Sequence, residues 1–86
     1  MDRPNFRKLV FEKLASLNLN SLQLIDESTD ALTLEVVSDT FIGVSALKRI
    51  DTVFSLISTL IEKIDFHVDI IALTVNEKQS GHNEQS

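Results

Sequence analysis

The stretch "SDTFIGVSALKRID", Ser38 to Asp51, holds one of only two glycines in this 86-residue chain, and the other, Gly81, sits among polar residues near the end. Just before it, "DALTLEVVS" alternates Leu32, Leu34 and Val36 against Thr33 and Glu35, the period of a strand with one face buried. Just after it, "DTVFSLISTLIEKI" sets Val53, Phe54, Ile57, Leu60, Ile61 and Ile64 at helical steps, with Asp51 as N-cap or first-turn residue. The stretch is therefore a strand-to-helix turn. Gly43 supplies either a positive φ or a close backbone approach that a side chain would forbid. Ser45 caps the following helix, and Phe41 anchors the turn in the core.

Working toward the N-terminus, "SLQLID" alternates Leu22 and Leu24, and the polar "DESTD" separates it from the strand at Leu32. Two short alternating runs around a compact polar turn predict an antiparallel hairpin. Residues Pro4 to Leu17, "PNFRKLVFEKLASL", place Phe6, Leu9, Val10, Leu14 and Leu17 on one helical face, with Asn18 and Asn20 as stop signals. Working toward the C-terminus, "FHVDIIALTV" (Phe66 to Val75) is apolar on both sides in its second half, which predicts the most buried strand of the sheet. The final "NEKQSGHNEQS" has no apolar residue to dock, so residues 1–76 form the domain and residues 77–86 a disordered polar tail that includes His82. The sum is α+β: one three-stranded sheet covered by helices on one face, the second helical segment running in one or two pieces.

Composition narrows the function. A chain this short supports a stability of roughly 0.05–0.15 kcal/mol per residue, little enough that a binding module fits better than an enzyme with a large strained cleft. The formal net charge of −5 opposes strong nonspecific binding to phosphate backbones. The absence of cysteine removes disulfides, thiolate metal sites and thiol nucleophiles, and the lack of a long apolar run predicts a soluble, cytoplasmic protein with no membrane contact. Ser38 and Ser45 have no positioned base in the sequence, and the "IDESTD" carboxylates lack Ca²⁺-loop spacing, so no catalytic residue is assigned.

From Asn5 to Glu77 the chain resembles the BolA family. The resemblance rests on Phe41, Gly43, Ser45, Arg49 and His67: a strand ending at Val-Ser-Asp, then Phe-x-Gly-x-Ser, an Arg early in a helix, and a His opening the last strand. It implies a class II KH-like fold of order α-β-β-α-α-β, and a role in iron homeostasis or stress response. It further implies that the chain is a monomer alone and a heterodimer with a monothiol glutaredoxin. His67 would be the metal ligand on a two-iron, two-sulfur cluster shared with that partner, with no cofactor bound by the isolated chain. Family members implicated in iron–sulfur chemistry often carry a His or Cys in the loop where this chain has only "DESTD". Three arrangements stay open on that account: attachment through His67 alone, a substitute ligand at Asp26 or Asp30, or no cluster. The alternative function is a DNA-binding transcriptional regulator that sets Lys48, Arg49 and Lys63 against phosphates, as the family's helix-turn-helix-like surface suggests; the bland reading of those cations is a solvated helix face.

Overall fold

The computed structural model describes residues 1–84, with side chains placed through residue 80. Helix α1 (Arg3–Lys13) starts where Asp2 accepts a hydrogen bond from the Asn5 backbone N–H, with Pro4 in the first turn where its missing donor costs nothing. It ends four residues earlier than the apolar spacing predicts. A 3-10 turn, Ala15–Leu17, and the left-handed Asn18 (φ 51°) carry the chain away. Strands β1 (Ser21–Ile25) and β2 (Ala31–Val37) form the expected antiparallel hairpin, in a register that pairs Leu22 with Val36 and Leu24 with Leu34. A second 3-10 turn, Asp39–Phe41, leads through Gly43 into helix α2 (Ala46–Ile61), after which β3 (His67–Leu73) pairs with β2 in parallel. Helix α3 (Val75–Glu84) follows.

The fold is α+β with one mixed sheet, in the order β1-β2-β3. The helical segment that the sequence left open as one or two pieces, beginning near Ser45 or at Asp51, is the single helix α2, and a further helix comes after the last strand. Helices α1 and α2 cover one face. Phe6, Val10 and Leu14 of α1 meet Leu32, Leu34 and Val36 of β2 and Val53, Ile57 and Leu60 of α2 in a single core. Each fully buried side chain of this kind contributes roughly 1.5–3 kcal/mol against solvent exposure. Because β2 lies between two strands, it is the buried strand, whereas β3 has no buried residue. The expectation that β3 is the most buried is thus corrected: an apolar run on both sides of a strand does not fix its place in the sheet.

Three further expectations change. The helix N-cap is Ser45, whose hydroxyl accepts from the Lys48 N–H; Asp51 lies inside α2, and Phe54 of the apolar stripe is half exposed rather than core. The tail does not lose structure at residue 77. Thr74 and Glu77 close a reciprocal cap, the Glu77 carboxylate accepting from the Thr74 N–H (2.9 Å) and the Thr74 hydroxyl accepting from the Glu77 N–H (3.1 Å), so α3 is nucleated where it leaves the strand. Lys78 in its first turn bonds both carboxylate oxygens of Glu35 (2.8 and 2.9 Å), which is buried on the other face of β2. A helix without an apolar stripe is held here by its cap and by charge. The part of the expected tail at residues 85–86, and the side chain of His82, lie outside the described residues.

All three arginines of the chain donate to backbone carbonyls at the rim of the sheet. Arg7 bonds Leu22 O on the outer edge of β1 (3.0 Å), and Arg3 bonds Ser28 O (2.6 Å) and Thr29 O (3.3 Å) in the hairpin turn. Arg49 bonds Ala72 O (3.3 Å); the next carbonyl, Leu73 O, accepts from Ser38 N–H on the β2 side, so Ala72 O faces the open edge of β3.

Candidate functional site

The turn that carries the recognition residues is built as its sequence implies, and the open alternative for Gly43 is resolved. Its φ is 77°, and a Cβ added there would meet nothing within 4 Å, so backbone conformation and not crowding requires glycine. Phe41 is buried at the end of the 3-10 turn, and Ser38, fully buried, donates to Leu17 O (2.5 Å) and meets the Thr40 hydroxyl (2.7 Å). Ser38 is thereby a structural tie between the two 3-10 turns.

His67 opens β3 at the end of the sheet beside the hairpin turn. Its backbone N–H donates to Asp30 O (2.7 Å), and its side chain stands 70% exposed, with Nε2 2.9 Å from Asp69 Oδ1 two residues along the same face. The residue before it is the anchor. Phe66 packs edge-on against Phe6 at 5.3 Å between centroids, and the Arg3 guanidinium sits 4.1 Å over the Phe66 ring while holding the hairpin turn and pairing with Glu27 at 3.7 Å. Arg3 and Phe66 thus fix where the imidazole leaves the fold. Neither carries a motif that reveals this in the sequence, because Phe66 meets Phe6 and Arg3 from sixty or more positions away.

In the turn itself Asp26 takes a left-handed backbone (φ 50°), while Ser28 closes the loop through its N–H to Ala31 O (2.8 Å) and its hydroxyl, which accepts from Ala31 N–H (3.1 Å). Among the described residues no three His, Cys, Asp or Glu side chains come together as a metal site, so Asp26 and Asp30 are not gathered with His67 into one. Iron–sulfur clusters favour thiolates, with imidazole as a replacement. The chain has no thiolate, so of its side chains the His67 imidazole is the donor whose chemistry fits such a cluster.

The proposed basic face is not assembled. Arg49 is buried, its Nε donating to Val44 O (2.8 Å), its NH1 to Ala72 O and Glu77 Oε1 (2.5 Å), and its NH2 to Glu77 Oε2 (3.3 Å). Its charge is neutralised by a bidentate carboxylate, not offered to phosphate. Lys48 and Lys63 are exposed but stand at opposite ends of α2, fifteen residues or about 22 Å apart along the axis. The Arg49 guanidinium and the Thr74 N–H together hold the Glu77 carboxyl at about 2, well below its ordinary 4.5. Glu77 is the site residue that sequence reasoning missed, although "TVNE" has the spacing of a capping box.

Comparison with known proteins agrees with this fold. Solved structures that superpose on the chain include BolA1 from Arabidopsis thaliana (TM-score 0.71, 20% identity, 90% of this chain and 98% of that one). The BolA domain of SufE1 from Arabidopsis thaliana matches with TM-score 0.68 and 27% identity over 90% of this chain and 99% of that one. A Bol-like protein from Babesia bovis matches with TM-score 0.71 and 26% identity over 88% and 92% of the two chains. No family model matches the sequence, and no curated protein matches it significantly. The chain has the BolA fold and is BolA-like over nearly its whole length.

Proposed function

We propose that this chain is a non-enzymatic, cytoplasmic BolA-like adaptor that binds a monothiol glutaredoxin in iron homeostasis or stress response. The observation that carries the reading is the exposed His67 imidazole, presented at a rigid corner of a BolA fold by Phe66, Arg3 and Asp30, in a chain with no thiol of its own. A single outward imidazole suits a shared site completed by a partner's thiolates, so a two-iron, two-sulfur cluster would be bridged between the two proteins with His67 as this chain's ligand. Against the DNA-binding alternative weigh the burial of Arg49 under Glu77 and the distance between Lys48 and Lys63.

The test is co-purification with a monothiol glutaredoxin from the same cell, then anaerobic reconstitution read by visible absorption and circular dichroism. A one-to-one complex whose colour is lost in His67→Ala, with the melting temperature of the adaptor unchanged, is the expected result. Failure to form any complex overturns the adaptor reading; a complex without colour overturns only the shared cluster.

A further inference from the structure

Between the start of α1 and the outer edge of β1 lies a cleft of about 490 Å³, walled by Arg3, Pro4, Arg7, Leu22, Leu24 and Glu27. His67 is not one of its walls. Its size falls in the range of small-molecule sites, and so does its make-up: apolar walls from Pro4, Leu22 and Leu24, with a few polar groups among them. Strand pairing decides which backbone groups face it. β1 is an edge strand, and in an antiparallel pair alternate residues turn their N–H and C=O away from the neighbour. Arg7 bonds Leu22 O on that outer edge (3.0 Å), so Leu24, two residues on, also turns its N–H outward, where no strand pairs with it.

The two guanidinium groups are only partly engaged. Arg7 uses Nη2 for Leu22 O, and among the described residues its Nε and Nη1 have no acceptor. Arg3 turns Nη2 to the hairpin carbonyls, while its Nη1 stands 3.7 Å from Glu27 Oε1, beyond hydrogen-bond reach. Two guanidinium groups against one carboxylate leave the cleft with one net positive charge, in a chain whose formal net charge is −5. A second cleft of about 380 Å³ shares Pro4 and Arg7 as walls and adds Lys8, Phe11 and Glu12. The Lys8 and Glu12 charges cancel, and the Phe11 side chain is half exposed there.

We propose that this cleft binds a small monocarboxylate with an apolar body. The carboxylate sits on the free nitrogens of Arg7 and the Leu24 N–H, with Arg3 adding its charge, and the body lies along Pro4 toward Phe11. Charged donors of this kind make the stronger hydrogen bonds to a carboxylate. The single net charge selects a monoanion, because a phosphate dianion would leave the site negative beside Glu27.

The test is a titration of the isotope-labelled full chain with phenylacetate at fixed ionic strength, read by nuclear magnetic resonance at the Leu24 amide and the Arg7 Nε–H. Both signals should move saturably with a Kd on the order of millimolar, the strength open to a ligand this small. Phenylacetamide, which has the same body without the charge, should bind about tenfold more weakly, and inorganic phosphate should also bind less tightly than phenylacetate. Arg7→Gln should weaken phenylacetate by about tenfold with the rest of the spectrum native. Glu27→Gln, at an exposed position, should strengthen it by about two- to fivefold, since a competing carboxylate is gone. Shifts that do not saturate, equal binding of the amide, or a folded Arg7→Gln that binds like wild type overturns the proposal. Should Arg7→Gln fail to fold, the lack of any gain in Glu27→Gln overturns it instead. Phosphate binding more tightly than phenylacetate overturns the assignment to a monocarboxylate.

Discussion

At Gly43 the demand is conformational and local. An L-residue with a Cβ in the left-handed region costs roughly 1–2 kcal/mol, less for asparagine. Gly43→Ala should therefore lower the urea midpoint by that equivalent with the transition slope unchanged, and Gly43→Asn should recover part of it; an unshifted midpoint in both would show that the turn tolerates other φ values. Glu77 gives a pH signature. Its carboxyl titrates near 4.5 when unfolded and about 2 when folded, so its contribution is whole above pH 4.5 and drains as pH falls toward 2. Replacing it with glutamine removes that dependence. Acid titration of stability should show wild type and Glu77→Gln apart at pH 6 and converging below pH 3, and parallel curves would refute the ion pair's role.

Among the elements, α3 and β3 show what the sequence conceals. Phe41, Gly43 and Ser45 do in the structure what their types imply, because turn and cap chemistry is local. The hairpin is equally legible, since alternation with a polar turn is a short-range signal. The place of β3 is not: only the return of α2 across the sheet puts it parallel to β2 at an edge, and Ile71 and Leu73 read the same in either position. Helix α3 is hidden for another reason. It has no apolar period, and its anchors are Arg49, 28 residues away from Glu77, and Glu35, 43 away from Lys78. Arg49 accordingly looks like a surface cation until Glu77 is seen beside it. An element fastened at its first turn should loosen as a unit when that turn is cut. Thr74→Val, which removes the hydroxyl acceptor, should speed amide exchange over residues 75–80 by about fivefold or more while leaving β2 protected, given a cap worth about 1 kcal/mol; uniform acceleration across the sheet would instead mean that α3 is integral to the core.

The molecule as a whole is a small sheet with both edges open to solvent and a helix layer on one side. The site at His67 is legible in the sequence only through resemblance, since a single histidine has no spacing to read; its presentation depends on Arg3 and Phe66, which meet only in the folded chain. Arg3→Ala should thus leave the core intact while loosening the corner, weakening the proposed glutaredoxin complex severalfold more than the fall in melting temperature would suggest; equal effects on both would make Arg3 merely a stability residue. The same residue belongs to a set with a different consequence. Arg3, Arg7 and Arg49 place guanidinium groups on carbonyls along the two outer strands and the connecting turn. Exposed strand edges are templates on which other chains can lay down a strand. With Leu22 O and Ala72 O engaged, each outer strand offers one carbonyl fewer to an incoming strand, and Arg7→Ala should shorten the lag before thioflavin-positive aggregates appear at temperatures well below unfolding. The three arginines of this acidic chain thus act as stops against strand addition at the rim of the sheet.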